Sequence, residues 1–275
     1  MDWERVIGLG VAGNFTGHLE QAGEADDFKD LVIEDANAPK GVFPFYVPGE
    51  GDHFLHVYPV SSERVRLGSD DEKHQIEPEV SLLCDLEYDG DRVVGVKPLR
   101  AMAHNDCSIR REGAKKISEK KNWGAETKGT SAQSIEIDRF EEGGVLDHCR
   151  IASFLLRDGA LHDYGVDSPA SNYSYMYGRL LDWLVSKLND QVDEGPLENI
   201  AEWLRIGGRP AQALISIGAT RYTEFGETTF LERGDQSIVI VYDSRVHGAD
   251  AIRDIASGAT AAPENGIAVL RQTVV

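Results

Sequence analysis

Hydrophobic and polar positions in this chain alternate more often than they cycle. From 77 to 97 apolar and polar residues alternate on either side of Asp89-Gly90, the pattern of two strands joined by a tight turn. A further strand over 150–161 runs into the turn Arg157-Asp158-Gly159-Ala160, and strands are expected at Ala213–Ile217 and Ser237–Tyr242, flanking a glycine-rich loop. Prolines 39, 44, 48 and 59, set among Phe, Tyr and Val, predict extended segments broken by turns. The opening Arg5-Val6-Ile7-Gly8-Leu9-Gly10 reads as a short buried strand entering a glycine-rich turn, followed by a short helix with Thr16 as its N-cap. Helical spacing takes over in two places. One is about 171–189, carried by Tyr173, Met176, Tyr177, Leu180, Leu181, Leu184 and Leu188, and the other is about 196–206. Residues 110–130 read as a long basic loop, and the Ala- and Gly-rich tail beyond about 250 as weakly structured. The pattern gives a mixed α+β, β-rich fold with a few helices.

The chain has 275 residues, enough for one large domain with at most a small extra lobe. No apolar run approaches the ~20 residues of a membrane span. The opening Met1-Asp2-Trp3-Glu4-Arg5 lacks the basic start of an export signal, so a cytoplasmic location is expected. Cys84, Cys107 and Cys149 form no C-x-x-C pair, which argues against a zinc ribbon or disulfide framework. The formal net charge of −19 disfavours nucleic acid and anionic membrane surfaces as partners. It also raises a question: an anionic substrate would need a local positive centre, which a bound metal ion could supply. Gly8, Gly10 and Gly13 loosely match a dinucleotide-binding loop, but no βαβ unit surrounds them.

Glu77-Pro78-Glu79 opens a strand. Positions two apart share a strand face, so both carboxylates point the same way, while Val80, Leu82, Cys84 and Leu86 point to the other. Two adjacent like charges call for a cation or a proton between them, and a hard divalent ion fits an all-oxygen donor set. By spacing alone, a solvated acidic strand start remains open. Asn105-Asp106-Cys107-Ser108-Ile109-Arg110 is, likewise, a polar turn when read by itself.

Six such segments occur in a telling order. They are Gly13-Asn14-Phe15-Thr16-Gly17-His18, Glu77-Pro78-Glu79, Asn105 to Arg110, Lys121-Asn122-Trp123-Gly124, Leu214 to Thr220, and Phe230 to Asp235. The series, spanning roughly 5–245, resembles the landmarks of the fumarylacetoacetate hydrolase superfamily. That resemblance implies a mixed β-roll, with an N-terminal lobe and lid segment over 1–60, a catalytic roll over 61–248 and a C-terminal tail over 249–275. It implies that Glu77, Glu79 and Asp106 bind Mg²⁺ or Mn²⁺, and that the chain is a homodimer.

By the same resemblance His18 is the general base, Lys121 stabilises oxyanion charge, and Arg110, Thr220 and Arg221 contact the substrate. The family's glutamate three residues after the histidine is Gln21 here. Glu20, with Glu24 as the alternative, is therefore expected to take its role. The loop Gly218-Ala219-Thr220 departs from the family's G-T-P. Residues Asn189 to Leu197 and the helix after them read as an insertion, serving as interface or lid. The activity implied is metal-dependent hydrolysis or lysis of a small 2-oxo or 1,3-dicarbonyl acid, such as C–C cleavage of an acylpyruvate. An oxaloacetate-type decarboxylase or tautomerase is the alternative. The altered Gln21 and G-T-P positions also leave open a non-catalytic binding protein on the same fold.

Overall fold

A computed structural model of the chain describes residues 2–24, 28–29, 35, 37–69, 71–111 and 113–275. Part of the expected lid segment, residues 25–27, 30–34 and 36, lies outside the described residues. The first half carries β1 (Ile7–Ala12), α1 (His18–Gln21), β2 (Gly41–Tyr46), β3 (Val60–Ser61), β4 (Arg64–Val65), β5 (His74–Gln75), β6 (Pro78–Asp89), β7 (Arg92–Asn105), β8 (Ser108–Ile109), β9 (Lys128–Thr130) and β10 (Ile135–Glu136). The second half carries β11 (Cys149–Arg157), β12 (Ala160–Pro169), α2 (Tyr177–Asp190), α3 (Ile200–Ile206), β13 (Gln212–Ser216), α4 (Glu224–Thr228), β14 (Gln236–Asp243), α5 (Ala249–Ser257) and β15 (Ile267–Val274).

Two sheets carry the fold. The larger runs β2-β1-β13-β6-β7-β9-β3, with β10 also on β7, and the smaller runs β12-β11-β14-β15-β4. The β6–β7 hairpin is the spine of the larger sheet, and Gly90, at φ +59°, sits in its two-residue turn. Val80, Leu82, Cys84 and Leu86 on one face of β6 join a core that also includes Ile151, Leu155, Val239 and Val241 of the smaller sheet. On the opposite face Leu83 packs with Phe43, Phe45 and Leu214. Both faces of β6 are therefore covered, which fits its near-continuous run of apolar residues.

Several expectations change. Gly8 and Gly10 lie within β1 instead of in a turn: a Cβ at either would fall 2.2 Å from a ring carbon of Phe45 or Phe43. Rings of Phe45 and Phe43 on β2 fill the space that a side chain at either position would need. Strands β1 and β2 belong to the larger sheet, β1 pairing in parallel with β13, so 1–60 shares its sheet with the central segment. The segment expected to be a loose tail contains α5, whose Ile252, Ile255 and Ala256 cover the smaller sheet, and β15, which is hydrogen-bonded between β14 and β4. Its Ala- and Gly-rich stretch is confined to the connection between them. Thr16 does not cap α1; Gly17 holds that position, in a left-handed conformation. Among the described residues no helix is long and apolar enough to cross a membrane.

Candidate functional site

The open end of the β6–β7 hairpin gathers the acids. Register pairs Pro78 with Asn105 and Glu79 with His104, and the ladder extends one step as the Asp106 N–H donates to the Glu77 carbonyl at 3.0 Å. Asn105 Oδ1 accepts from the Glu77 N–H at 3.2 Å. Residues 28 positions apart in sequence thereby become neighbours. One carboxylate oxygen each of Glu77, Glu79 and Asp106 lies within 4.8 Å of the others, and all three residues are buried.

Cations surround two of the three. Lys121 Nζ lies 2.5 Å from both Glu77 Oε2 and Asp106 Oδ2, Lys128 Nζ lies 2.8 Å from Asp106 Oδ1, and Arg110 Nη1 lies 2.9 Å from Glu77 Oε1. The contacts to Asp106 are at ion-pair distance but off hydrogen-bond geometry, so both of its oxygens keep free acceptor capacity. Glu79 differs: among the described residues no Lys or Arg ammonium or guanidinium pairs with it, and its Oε2 accepts only the Gly218 N–H, at 2.7 Å. Burial and then the Asp106 charge push the Glu79 carboxyl well above its ordinary range. For Glu77, burial pulls the same way, but Lys121 and Arg110 outweigh it and hold the carboxyl low. The same acids, Asp106 first, lift the Lys121 ammonium against its burial. Burial draws Lys128 below the ordinary lysine value, and Asp106 restrains the fall.

These residues suit a hard divalent ion. The donors are all oxygen, Asp106 has unsatisfied lone pairs, and Glu79 is a buried acid with no Lys or Arg partner among the described residues. A cavity of about 20 Å³ lies among His18, Glu24, Glu77, Glu79, Asp106 and Lys121. That is room for about one water-sized particle. Glu24 also lines a neighbouring cleft of about 510 Å³, together with Lys73, Arg110, Arg111, Lys120 and Phe230.

His18 opens α1 and is buried beside this cavity. Its Nδ1 lies 2.9 Å from the Thr220 carbonyl, which can only accept, so Nδ1 carries the proton. Burial outweighs the Glu77 charge and, with Arg110, lowers the imidazole pKa, which favours the neutral ring; among the described residues Nε2 has no partner.

Several expected contacts fall elsewhere. Glu20 is exposed on α1 and is not among the charges acting on His18; Glu24, half-buried and ion-paired to Arg110 at 2.8 Å and Lys120 at 3.0 Å, is the nearer acid. Gln21 does not hold His18. Its amide accepts from the Tyr222 N–H at 2.9 Å and donates to the Tyr222 carbonyl at 3.2 Å, which fastens α1 to the loop after β13. Thr220 spends its N–H and hydroxyl on the Pro78 carbonyl, at 3.0 and 3.3 Å, and so offers neither to a ligand. Arg221 is exposed and lies over Gly17. Arg110 is committed within the protein: Nε donates to Gln75 at 2.7 Å and Nη2 to the Tyr222 hydroxyl at 2.9 Å, besides its two glutamates.

Sequence reasoning singled out neither Lys128, one of five lysines in a basic stretch, nor His104, Gln75 and Tyr222. No local signal marks Lys128; it is the pairing of β9 with β7, Asn105 opposite Gly129, that brings it to Asp106. The three cysteines are buried free thiols, and burial pushes that of Cys107 up to about 12. The 191–199 segment braces the approach to Lys121. Lys116 Nζ donates to the Leu197 carbonyl at 2.6 Å, the Ser118 hydroxyl donates to Glu198 at 2.6 Å, and the Ile117 N–H donates to the Pro196 carbonyl at 3.1 Å.

No curated protein matches the chain in sequence. Among solved structures, a crystal form of 2-keto-3-deoxyarabinonate dehydratase is similar at TM-score 0.54 and 13% identity, covering 98% of this chain and 73% of that one. The 2-keto-3-deoxy-D-arabinonate dehydratase complexed with magnesium and 2,5-dioxopentanoate is similar at TM-score 0.53 and 12% identity, with coverage of 98% and 73%. A Yersinia pestis CO92 structure assigned to the fumarylacetoacetate hydrolase family is similar at TM-score 0.50 and 10% identity, covering 98% of this chain and 94% of that one. The sequence profile described as "Family of unknown function (DUF5718)" matches residues 24–274, a span that includes all three carboxylates, Lys121 and Lys128 but not His18. The chain therefore belongs to that family, built on the fold of the fumarylacetoacetate hydrolase superfamily.

Proposed function

We propose that this protein is a divalent-metal-dependent enzyme acting on a small 2-oxo or 1,3-dicarbonyl carboxylic acid, with cleavage of an acylpyruvate-like C–C bond as its reaction. The observation that carries the reading is the buried triad of Glu77, Glu79 and Asp106 beside a neutral histidine with a free lone pair. That a fold relative is complexed with magnesium and a dioxo acid supports it.

The three carboxylates would hold Mg²⁺ or Mn²⁺, which supplies Lewis-acid polarisation of a 2-oxo or enol oxygen. His18 Nε2 accepts a proton from water or from the carbon between two carbonyls, while the Thr220 carbonyl fixes the tautomer that leaves Nε2 free. Lys121 turns its charge toward oxygen that gains negative charge during the reaction, and Arg110 keeps Glu77 ionised and oriented. The site's three cations answer the net charge of −19, since an anionic substrate meets positive charge locally.

A second reading rests on a specific observation. Among the described residues no carboxylate bonds His18, and Glu24 is held by Arg110 and Lys120. A base without an acid behind it suits proton shuffling or decarboxylation better than sustained water activation, which favours an oxaloacetate-type tautomerase or decarboxylase. Assays with acylpyruvate and oxaloacetate, in Mn²⁺ and in EDTA, on wild type and on His18→Gln separate the readings. Hydrolysis is expected to fall by about 10²–10⁴ in His18→Gln. Metal-dependent loss of oxaloacetate by wild type, with no hydrolysis of acylpyruvate, would install the second reading. No turnover of either compound with metal would sink both.

A further inference from the structure

We infer that Lys128 is a built-in counter-cation of the centre, which competes with a divalent ion for Asp106, so that the ion binds tightly only together with a chelating anion. The inference rests on the metal-centre reading above and adds to it the linkage between ion and substrate.

Lys128 has no exposed surface. Its ammonium lies 2.8 Å from Asp106 Oδ1, donates to the Cys107 carbonyl at 2.6 Å and sits 6.0 Å from the centroid of the Trp123 ring. Lys121 lies at ion-pair distance from the other Asp106 oxygen and from one oxygen of Glu77, and Arg110 from the remaining oxygen of Glu77. Three cations thus press on Glu77 and Asp106 before any ion arrives. A dication alone would add two positive charges to a buried site that already holds three cations, where unscreened repulsion is strongest. A dication accompanied by a dianionic chelator adds none.

The two lysines differ in freedom. Lys121 lines the cavity and can turn toward an incoming anion, whereas Lys128 lies outside its lining, behind Asp106. Lys128 is therefore the permanent part of the opposing charge. As a positioning residue it acts through Asp106 and touches neither ion nor substrate.

The test is calorimetric titration of Mn²⁺ into wild type, Lys128→Met, Lys128→Gln and Glu79→Ala. Each titration is run with and without oxalate, the smallest bidentate dicarboxylate, with free Mn²⁺ corrected for the solution complex. In wild type, oxalate is expected to tighten Mn²⁺ binding by about tenfold or more. In Lys128→Met, Mn²⁺ alone is expected to bind about tenfold tighter than in wild type, and the gain from oxalate to shrink. A folded Lys128→Met that binds Mn²⁺ no tighter overturns the inference, as does a wild type indifferent to oxalate. Lys128→Gln repeats the measurement if the methionine variant does not fold, and the oxalate effect in wild type decides alone if neither folds. Mn²⁺ binding that is absent from wild type under both conditions, or unchanged in Glu79→Ala, refutes the metal-centre reading itself and the inference with it.

Discussion

The β6–β7 hairpin carries charge at both ends, and the two ends behave differently. At the turn Asp91 pairs with Arg209, and Arg92 with Asp190 at 3.0 Å, by side chains that are mostly in solvent. At the open end Lys121, Lys128 and Arg110 face Glu77 and Asp106 at comparable distances, with almost no exposure. Water and salt screen the first group, and such pairs contribute about 0–1 kcal/mol. In the second, each charge depends on its partners, and deleting one leaves another buried and uncompensated. Proximity is alike at the two ends; burial decides which pairs matter and which can be redirected to a ligand.

The largest test of that contrast is Asp106→Asn. It leaves Lys128 and half of Lys121 unpaired in the interior and is expected to cost about 3–5 kcal/mol. That would appear in thermal denaturation as a Tm lower by roughly 6–20 °C. A loss as small as that of a surface pair would show that water reaches the centre.

A smaller effect is expected at Glu198, which braces the Lys121 segment. Burial raises its carboxyl to about 7, despite the Ser118 hydroxyl bond and the Lys116 charge, with Asp193 and Glu119 adding repulsion. The folded state therefore holds a proton that the unfolded chain releases at ordinary carboxylate pH. Between about pH 4.5 and 7 stability falls as pH rises, and above about 7 the penalty is complete. Glu198→Gln keeps an acceptor for Ser118 and removes the titration. It is expected to be more stable than wild type by roughly 1–3 kcal/mol at pH 8 and nearly equal to it at pH 5. Equal stability at both pH values would mean that Glu198 is solvated.

The smallest effect closes the comparison. Arg92→Ala at the turn is expected to cost no more than about 1 kcal/mol, and less in high salt. A salt-independent loss as large as that of Asp106→Asn would erase the distinction between the two ends.

Much of the frame was legible because it is local. Period-two alternation around Asp89-Gly90 marks the hairpin, and Glu77 and Glu79 share a face because strand geometry makes them. The turn read at Asp158-Gly159 is equally local: both residues adopt positive φ, as a two-residue hairpin turn requires. The choice among acids was not legible. A helical count turns Gln21, three residues after His18, toward the histidine and leaves Glu20 and Glu24 undecided; α1 is a single turn, and only its packing shows that Glu20 faces solvent while Glu24 reaches Arg110.

The sequence by itself determined the elements whose causes are short-range: the β6–β7 hairpin, helix α2, the pair Glu77 and Glu79, and the order of motifs that resembles one superfamily. Tertiary structure alone decided which of five lysines meet the acids, that Glu79 has no Lys or Arg partner among the described residues, that Thr220 serves His18 through its carbonyl, and that β15 is a strand of the smaller sheet. The physical reason is that charge pairing and desolvation depend on distance and on exclusion of water. Both are set where strands distant in sequence come into register, as β9 does when it carries Lys128 against Asp106.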